Sequence, residues 1–259
     1  MRRLDYLWRL IGTGTSFAVF GLGGMALGSL LFPLVHLVTP DRALAYRRCQ
    51  RLVRLAFHLF IQVMAGLGVL TYSFEGAARL KGRKGALILA NHPSLIDVVF
   101  IVSHLPQAVC VVKKSHWHNP FVMGIMRGAG YIPNDDPAQM VDDCVAALSQ
   151  GENLVLFPEG TRTRPNQPMQ LKAGAASIIA ATGQPFVPVY ISCSPTTLTK
   201  EEKWYEIPPR RPHFRLVVGE EVNPSPHMAE DAGRSINKRR VNRFLYQVLE
   251  EGLLQMKAG

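Results

Sequence analysis

The chain has 259 residues, 47% of them hydrophobic and 19% charged, which suits one large domain or two modest ones and excludes a disordered protein. The formal net charge of +10 predicts an anionic partner, a class that includes nucleic acids, anionic lipid headgroups and phosphorylated substrates. Four cysteines lie far apart without a Cys-x-x-Cys pair, which argues for a reducing compartment and against a zinc site.

The first predicted element is a long apolar run near the N terminus. No Asp, Glu, Lys or Arg occurs from Ile11 to Pro40, and about 20 apolar residues suffice to cross a bilayer as a helix. The run is too long for the core of a signal peptide, so we expect it to be retained. A second uncharged stretch, Leu55–Phe74, carries His58 and Gln62. It predicts a weaker span, or a helix that lies in the membrane interface or packs on the domain.

Basic residues flank the first run on both sides. They are Arg2, Arg3 and Arg9 before it, and Arg42, Arg47, Arg48, Arg51 and Arg54 after it. The positive-inside rule would place both flanks in the cytoplasm, which one straight crossing cannot satisfy. Either the run dips in and returns, with a reversal at Gly23–Gly24, or the two segments form a monotopic pair; a true crossing stays open as an alternative. We expect anchoring at the cytoplasmic face of the inner membrane, which is anionic.

From about Tyr72, short apolar runs alternate with longer helical patterns. The predicted strands are Ala86–Ala90, Ala108–Val112, Asn153–Phe157, Phe186–Ile191 and Phe214–Val218. The predicted helices are Leu95–Ser103, Pro120–Arg127, Pro137–Gln150, Ala173–Thr182 and Ile236–Leu254. This alternation predicts an α/β fold with a mixed, largely parallel sheet flanked by helices. We therefore expect an N-terminal hydrophobic helical membrane anchor over residues 1–75 and one α/β domain over residues 76–259.

The stretch NHPSLID, residues 91–97, places His92 five positions before Asp97 between two apolar runs. Pro93 disfavours a helical conformation for the residue before it and suits the first turn of the helix that follows. With His92 outside that helix, its ring can fold back to the carboxylate of Asp97. The carboxylate would set the tautomer and leave the other ring nitrogen as a general base. Such a pair suits a reaction whose nucleophile is the substrate's own hydroxyl.

Other interpretations of this stretch stay open at this point. A histidine beside an apolar run is commonly structural, and Asp97 would then be a helix-terminal charge. A metal site at His92 and Asp97 would need further ligands, for which His116 and His118 are the only candidates. Ser94 lacks the G-x-S-x-G surroundings of a nucleophilic serine.

A second motif, LVLFPEGTRTR, occupies residues 154–164 and follows a predicted strand. Gly160 permits a tight turn whose backbone N–H groups can approach a ligand closely. Arg162 and Arg164 can bind phosphate oxygens through charge-assisted hydrogen bonds. Glu159 either holds Arg162 in place or binds a substrate hydroxyl. The competing interpretation is a surface turn with a salt bridge.

Four blocks, which follow one another along the chain in the family's order, resemble the glycerolipid acyltransferase family, which includes the lysophosphatidic acid acyltransferases. NHPSLID resembles the family's N-H-x-x-x-x-D block, and FPEGTR its F-P-E-G-T-R block. VKKSHWHNPFVMG resembles the block in which K-K-x-L precedes P-F-x-G, and GQPFVPVYIS resembles the late G-x-P-x-x-P-V block. LKAGAA resembles the family's F-K-x-G-A. The resemblance covers roughly residues 76–194.

The resemblance implies an acyltransferase catalytic domain in which His92 is the general base and Asp97 orients it. It implies a binding site for the glycerol-phosphate part of the acceptor at Glu159, Gly160, Thr161 and Arg162, with positive charge added by Lys114 or Lys113 and by Lys172. The donor would be an acyl thioester of coenzyme A or acyl carrier protein, and neither a cofactor nor a metal is implied. The acceptor would be a lysophospholipid in an anionic membrane.

At one place the chain departs from the family. Members that use lysophosphatidic acid commonly carry an F-I-D-R-like stretch downstream of the Lys-Lys pair, whereas this chain has YIPN, so Asn134 replaces the arginine. We expect 1-acyl-glycerol-3-phosphate as the acceptor and phosphatidic acid as the product. A different lyso-lipid or lipid-like alcohol is the alternative acceptor, and a non-catalytic membrane-binding protein is the second alternative.

The best candidate for a nucleic-acid contact is the C-terminal stretch NKRRVNRFLYQ. Its spacing is more typical of an amphipathic helix that covers the sheet, with Val241, Phe244, Leu245 and Val248 on one face. We therefore expect no nucleic-acid partner.

Overall fold

The computed structural model describes residues 2–165, 167–229 and 233–258. Its strands are β1 (Thr71–Glu75), β2 (Leu87–Ala90), β3 (Ala108–Val112), β4 (Ile132–Pro133), β5 (Asn153–Leu156), β6 (Phe186–Ser194) and β7 (His213–Val218). Its helices are α1 (Arg2–Ala26), α2 (Phe32–Val38), α3 (Arg42–Gly66), α4 (Asp97–His104), α5 (Met123–Gly128), α6 (Pro137–Ser149), α7 (Ala173–Thr182) and α8 (Arg234–Ala258).

The strands form one seven-stranded sheet in the order β1-β7-β6-β2-β5-β3-β4. Neighbouring strands are parallel except β6 and β7, which are antiparallel. The predicted mixed, largely parallel sheet flanked by helices is therefore confirmed. Each predicted strand is present with ends that differ by at most a few residues, whereas β1 and β4 were not predicted.

Helices cover both faces of the sheet because its central strands are buried on both sides. Ile88 and Ala90 of β2 face a core that includes residues of α3, α4 and α5. Leu87 and Leu89, which alternate with them, face a second core built with α6, α7 and α8. This alternation without polar positions explains why β2 is buried throughout.

The first apolar run forms one continuous helix. After α1 a π-helical turn, Leu27–Leu31, leads directly into α2. The run Arg3–Val38 is long and apolar enough to cross a membrane by length and composition. The predicted reversal at Gly23–Gly24 is wrong, since the helix runs through both glycines; Gly24 instead lies where α1 passes close to the carbonyl of Phe121.

Arg9, predicted as a flanking cation, lies inside α1 and is only 1% exposed. Its guanidinium contacts Asp5 at 2.9 Å and donates to the carbonyl oxygens of Pro208 and Pro209. The buried charge is compensated by these three acceptors. Arg9 therefore fastens α1 to the segment between β6 and β7.

The second uncharged stretch, Leu55–Phe74, is divided between a helix and a strand. Helix α3 ends in a glycine-terminated turn, in which Gly68 adopts a φ of +71° and donates to the carbonyl of Ala65. Strand β1 starts shortly afterwards, at Thr71. Of the alternatives for this stretch, packing on the domain is the one observed, because α3 lies against α4 with a row of buried apolar side chains.

Two predicted helix starts are wrong by a few residues. Helix α4 begins at Asp97 rather than Leu95, so Pro93 lies in the preceding loop and not in the first helical turn. Helix α5 begins at Met123 rather than Pro120. In the first case the backbone N–H of Ser94 donates to the Asp97 carboxylate, and residues 92–96 form the loop and turn before the helix.

Candidate active site

The loop after β2 brings His92 and Asp97 together. Nδ1 of His92 lies 2.9 Å from Oδ2 of Asp97, and the same oxygen accepts a hydrogen bond from the backbone N–H of Ser94 at 2.7 Å. Asp97 is fully buried at the start of α4, while the His92 side chain is 17% exposed. A carboxylate at Nδ1 favours the tautomer that carries its proton there, so Nε2 keeps a free lone pair.

Two neighbours fix the His92 ring and its loop. The ring stacks on Phe157, the residue after β5, with centroids 4.1 Å apart. The side chain of Asn91 exchanges two hydrogen bonds of 2.8 Å with the backbone of Ile191 in β6. The side chain of Asn91 thus continues the hydrogen bonding between β2 and β6 by one residue. His92 is the next residue in the chain.

Sequence reasoning did not single out Asn91 or Phe157. The available signal was that each residue stands at the end of an apolar strand. For Asn91 this signal was the stronger one, because burying an amide side chain at the end of ALILAN costs free energy unless the amide is hydrogen-bonded.

The second motif forms a tight turn after β5. Gly160 has a φ of +62°, in the left-handed region that favours glycine. Glu159 is 5% exposed, and its Oε1 accepts from the Thr163 hydroxyl at 2.5 Å and from the backbone N–H of His92 at 3.3 Å. Thr163 also donates its backbone N–H to the carbonyl of His92 at 2.7 Å. The two motifs are therefore joined directly by hydrogen bonds.

Arg162 is not held by Glu159, so that alternative from the sequence is wrong. Its Nη1 donates to the carbonyl oxygens of Leu198 at 3.0 Å and Thr199 at 2.7 Å. The carbonyl of Leu198 also accepts the backbone N–H of Leu95. The segment after β6 consequently lies between the two motif loops and was not predicted as part of the site.

The remaining predicted site residues differ in their contacts with the two motif loops. Thr161 and Lys172 are exposed, and a methyl group on Gly160 would come within 2.8 Å of the Lys172 side chain, so Lys172 lies over the turn. Lys113 and Lys114 are exposed beyond β3, and Lys114 forms an ion pair with Asp135. Within the described residues, no hydrogen bond or ion pair joins either lysine to His92 or Glu159.

Burial shifts the ionisation of the three charged groups at the centre. Burial raises the pKa of Asp97, although the hydrogen bonds from His92 and Ser94 act in the opposite direction. Burial also raises the pKa of Glu159, opposed by the hydrogen bonds from Thr163 and His92. Burial lowers the pKa of Arg162, and the charge of Asp97 partly offsets this. The site therefore holds two carboxyl groups, Asp97 and Glu159, and the guanidinium group of Arg162 in surroundings that are poorly hydrated.

Comparison with known proteins gives a consistent result. A sequence profile of the family described as Acyltransferase matches residues 72–192. The chloroplastic 1-acyl-sn-glycerol-3-phosphate acyltransferase of Arabidopsis thaliana is 28% identical over 146 residues, which cover 52% of this chain and 41% of that protein. The 1-acyl-sn-glycerol-3-phosphate acyltransferase of Helicobacter pylori is 26% identical over 170 residues, which cover 61% of this chain and 69% of that protein.

This chain thus spans about two fifths of the length of the plant relative that it matches. Among solved structures, the 1-acyl-sn-glycerophosphate acyltransferase of Thermotoga maritima superposes with a TM-score of 0.70 at 20% sequence identity. The superposition covers 100% of this chain and 99% of that chain, which shows a shared fold. The residues matched by the family profile contain both the His92–Asp97 pair and the turn from Glu159 to Arg162. The resemblance of this part of the chain to the glycerolipid acyltransferase family, predicted from its sequence motifs, is therefore confirmed.

Proposed function

We propose that this protein transfers a fatty acyl group from an acyl thioester to the free hydroxyl of 1-acyl-glycerol-3-phosphate and so forms phosphatidic acid. The observation that carries the proposal is the hydrogen bond between His92 and Asp97, which leaves Nε2 of a partly exposed imidazole free beside a turn with basic side chains. The acyl donor is a thioester of coenzyme A or of acyl carrier protein. The reaction needs no bound cofactor or metal.

The proposed reaction has one acyl-transfer step and two proton movements. Nε2 of His92 takes the proton of the acceptor hydroxyl while its oxygen attacks the thioester carbonyl. The carbon–sulfur bond then breaks, and the leaving thiolate takes the proton back from the imidazolium. Asp97 stabilises that imidazolium and holds the ring in one tautomer, with Phe157 limiting its rotation.

The proposed acceptor site is the turn that follows β5. Arg162 uses Nη1 for the carbonyls of residues 198 and 199, and within the described residues its Nε and Nη2 have no hydrogen-bond partner, so they are available to phosphate oxygens. Lys172 and the backbone of Gly160 and Thr161 belong to the same side of the proposed acceptor site. Lys113 and Lys114 add positive charge from the neighbouring β3 loop.

A different acceptor is the second candidate, favoured by Asn134. The side chain of Asn134 accepts the backbone N–H of Lys114 at 3.3 Å and so has a structural contact where the family commonly places an arginine. An acceptor without a phosphate monoester would need fewer cations at this position. The chemistry at His92 would be unchanged.

We propose that the protein binds the cytoplasmic face of the inner membrane monotopically, without crossing the bilayer. The N-terminal helix touches the domain from Trp8, whose indole donates to the carbonyl of Leu67, to His36, which contacts the carbonyl of Gly128. A helix fastened along most of its length is poorly placed to leave the domain and cross a bilayer. The predicted division into an anchor over residues 1–75 and a catalytic domain over residues 76–259 stays a prediction, and β1 lies at that boundary within the sheet.

The test is an acyl-transfer assay with the purified full chain, 1-acyl-glycerol-3-phosphate and either thioester. We expect phosphatidic acid from the wild type and a loss of about 10²–10⁴-fold in kcat for His92→Ala, the usual contribution of a general base. Asp97→Asn is expected to lose much of the same activity, because the amide favours the wrong tautomer. His58→Ala, an exposed histidine on α3, is the matched control. Near-wild-type turnover in folded His92→Ala would disprove the assignment.

A further inference from the structure

Leu198, in the segment after β6, has a backbone conformation that is unfavourable for its residue type. Its φ is +55°, in the left-handed region, and among the described residues only Gln107 also has a positive φ without being glycine. This conformation costs free energy for a residue with a Cβ, and it persists only where the surrounding structure enforces it. The contacts of Leu198 should therefore explain why the conformation is kept.

The carbonyl oxygen of Leu198 accepts two hydrogen bonds from two different loops. One comes from the backbone N–H of Leu95, in the loop that carries His92, at 3.1 Å. The other comes from Nη1 of Arg162, in the turn after β5, at 3.0 Å. A carbonyl oxygen has two lone pairs, and both are used here. A single atom thus joins the loop of the proposed base to the side chain that is proposed to bind phosphate.

The residues on either side of Leu198 bind the same two loops. The carbonyl of Thr197 accepts the Ser94 hydroxyl at 3.0 Å, and the carbonyl of Thr199 accepts Nη1 of Arg162 at 2.7 Å. Three consecutive carbonyl groups are therefore directed at the motif loops. In an extended strand, successive carbonyl groups point in opposite directions, so this arrangement requires a non-extended residue in the middle. The left-handed conformation of Leu198 meets that requirement.

The side chain of Leu198 is fixed by packing. It is buried and belongs to the core on the α3 and α4 face of the sheet. It lines a small cavity together with Leu70, Ile96 and Phe214. A backbone rotation at this residue would take the side chain out of the core or the carbonyl away from the loops. Packing and hydrogen bonding together therefore maintain the left-handed conformation.

We propose that Leu198 is a positioning residue, whose left-handed backbone directs one carbonyl oxygen at both motif loops and so fixes Arg162 relative to His92. The proposal rests on the proposed function, in which Arg162 binds the acceptor phosphate and His92 takes the proton of the acceptor hydroxyl. These two groups of the acceptor are a fixed number of bonds apart. An arginine held on the loop of the base keeps both binding groups at a matching separation before the acceptor arrives.

The other connection between the motif loops does not act on the Arg162 side chain. Glu159 joins the turn after β5 to the backbone N–H of His92. Within the described residues, the guanidinium of Arg162 forms hydrogen bonds only with the carbonyls of Leu198 and Thr199. The position of the guanidinium therefore depends on the backbone of this segment.

The kinetic test compares Leu198→Ile with Leu198→Met in the purified full chain. Both variants keep a buried apolar side chain of similar size, but isoleucine is β-branched and disfavours the left-handed region more strongly. Leu198→Ile should raise the KM for 1-acyl-glycerol-3-phosphate about tenfold or more, the usual scale for one hydrogen bond to a charged group. The KM for the thioester, and kcat with its pH profile, should stay near wild type, because the His92–Asp97 hydrogen bond is unaffected. Leu198→Met should match the wild type throughout.

The contact with Leu95 has a readout that needs no acyl transfer. Leu198→Ile should speed up amide hydrogen exchange in peptides that cover residues 94–97, because the Leu95 N–H loses its acceptor. Peptides from α6, on the other face of the sheet, are the internal control and should exchange at the wild-type rate. A wild type without acyl transfer would contradict the proposed function, and the exchange result would still decide this proposal.

Leu198→Gly and Leu198→Ala give a second test that holds if Leu198→Ile does not fold. Both delete the side chain, and they differ in their tolerance of a positive φ. Glycine ordinarily lowers stability relative to alanine, because the unfolded chain gains freedom. Here we expect the reverse order, with a thermal midpoint about 2–4 °C higher for glycine. The acceptor KM of Leu198→Gly should also lie closer to wild type than that of Leu198→Ala.

Three results would overturn the proposal. The first is an unchanged acceptor KM, or unchanged exchange at residues 94–97, in folded Leu198→Ile. The second is an equal rise in KM for the acceptor and the thioester, which would indicate a general loss of structure rather than a displaced Arg162. The third is an alanine variant that is as stable as the glycine variant, since the left-handed backbone would then not be required.

Discussion

Asp97 and Glu159 are two buried carboxyl groups within one site, and their hydrogen bonds distinguish them. Asp97 contacts the imidazole of His92 through Oδ2, while Glu159 contacts only the backbone N–H of that residue and the Thr163 hydroxyl. In the proposed reaction, the first arrangement acts on the ring that moves protons. The second joins two loops and places a negative charge next to the turn. We therefore expect different consequences when each charge is removed.

Glu159→Gln should stabilise the protein at neutral pH. Burial raises the pKa of Glu159 above its ordinary value of 4.5, so the folded chain holds this proton more tightly than the unfolded chain does. Ionisation then costs stability as the pH rises from 4.5 through the folded-state pKa. Glutamine removes the charge and keeps an accepting Oε1 for Thr163 and His92.

Chemical unfolding of both proteins in detergent, at a series of pH values, measures this effect. The advantage of Glu159→Gln at pH 7 should shrink as the pH falls through the folded-state pKa towards the ordinary value of 4.5, and it should vanish below 4.5, where the wild-type carboxyl is neutral in both states. Glu201→Gln, an exposed carboxylate, is the control and should show no such trend. A stability difference that is independent of pH would show that the burial of the ionised Glu159 carboxylate is not its cause.

Asn134→Arg tests the acceptor at the position where the chain departs from the family that it resembles. Asn134 follows β4, three strands from β2, and at about 4.8 Å per strand this is roughly 14 Å across the sheet. We expect a wild type that already prefers 1-acyl-glycerol-3-phosphate, with little change or a gain of at most tens-fold on substitution, since ion pairs in a partly buried site contribute a few kcal/mol at most. KM for both acceptors, measured with both proteins, decides the question. A wild type that prefers a neutral lyso-lipid would establish the alternative acceptor.

At the scale of elements, apolar patterning predicted the central strands because they are buried on both faces. The same reasoning could not find β4, which has two residues and forms only where Val111 and Val112 pair with it. It also merged the end of α3 with β1, since Leu67 to Leu70 are apolar apart from one glycine and only the left-handed turn at Gly68 separates the two elements. Hydropathy does not report backbone handedness.

The site was predicted in part for a similar reason. The sequence singled out His92, Asp97, Glu159 and Arg162 as candidates because their residue types and spacing within a short segment point to one chemistry. The contact of Arg162 with Leu198 and Thr199 joins residues 36 and 37 positions apart, and no local pattern marks a backbone carbonyl as a partner. Contacts of this kind follow from the packing of loops after different strands.

The crossing of the N-terminal helix with α5 also follows from packing, and it carries a prediction. A methyl group on Gly28 would lie 2.6 Å from Cα of Gly124, a backbone atom that cannot rotate away. Gly28→Ala should therefore cost about 1–3 kcal/mol, the usual range for overpacking. Gly23→Ala is the matched control, because nothing lies within 4 Å of a methyl group there and alanine is the better helix former by about 1 kcal/mol.

Thermal unfolding of the two variants in the same detergent compares them directly. We expect a lower midpoint for Gly28→Ala and an unchanged or higher midpoint for Gly23→Ala. Gly124→Ala should repeat the effect of Gly28→Ala, since it meets the same contact from the other side, at 2.5 Å from Cα of Gly28. Identical midpoints for Gly23→Ala and Gly28→Ala would show that the N-terminal helix and α5 can move apart at their crossing without a loss of stability.

At the scale of the whole molecule, charge and apolar surface are distributed differently over the two faces of the sheet. The N-terminal helix and α3 lie on one face, and α3 carries exposed Arg47 and Arg51. Helix α8 covers the other face and carries exposed Arg240 and Arg243. If the first face rests on the membrane, only its cations lie within about 10 Å of the lipid phosphates, the Debye length near 0.1 M salt.

Charge reversal on each face then separates local attraction from the effect of net charge. Arg47→Glu with Arg51→Glu should weaken binding to vesicles that contain phosphatidylglycerol by about tenfold or more, since each cation near the surface contributes about 1 kcal/mol. Arg240→Glu with Arg243→Glu changes the net charge equally and should have little effect. Raising the salt to about 1 M shortens the Debye length to about 3 Å and should remove the difference, while the apolar contribution of the N-terminal helix persists. Vesicle co-sedimentation measures all three proteins, and an equal loss for the two pairs would mean that net charge, rather than a membrane-facing side, controls binding.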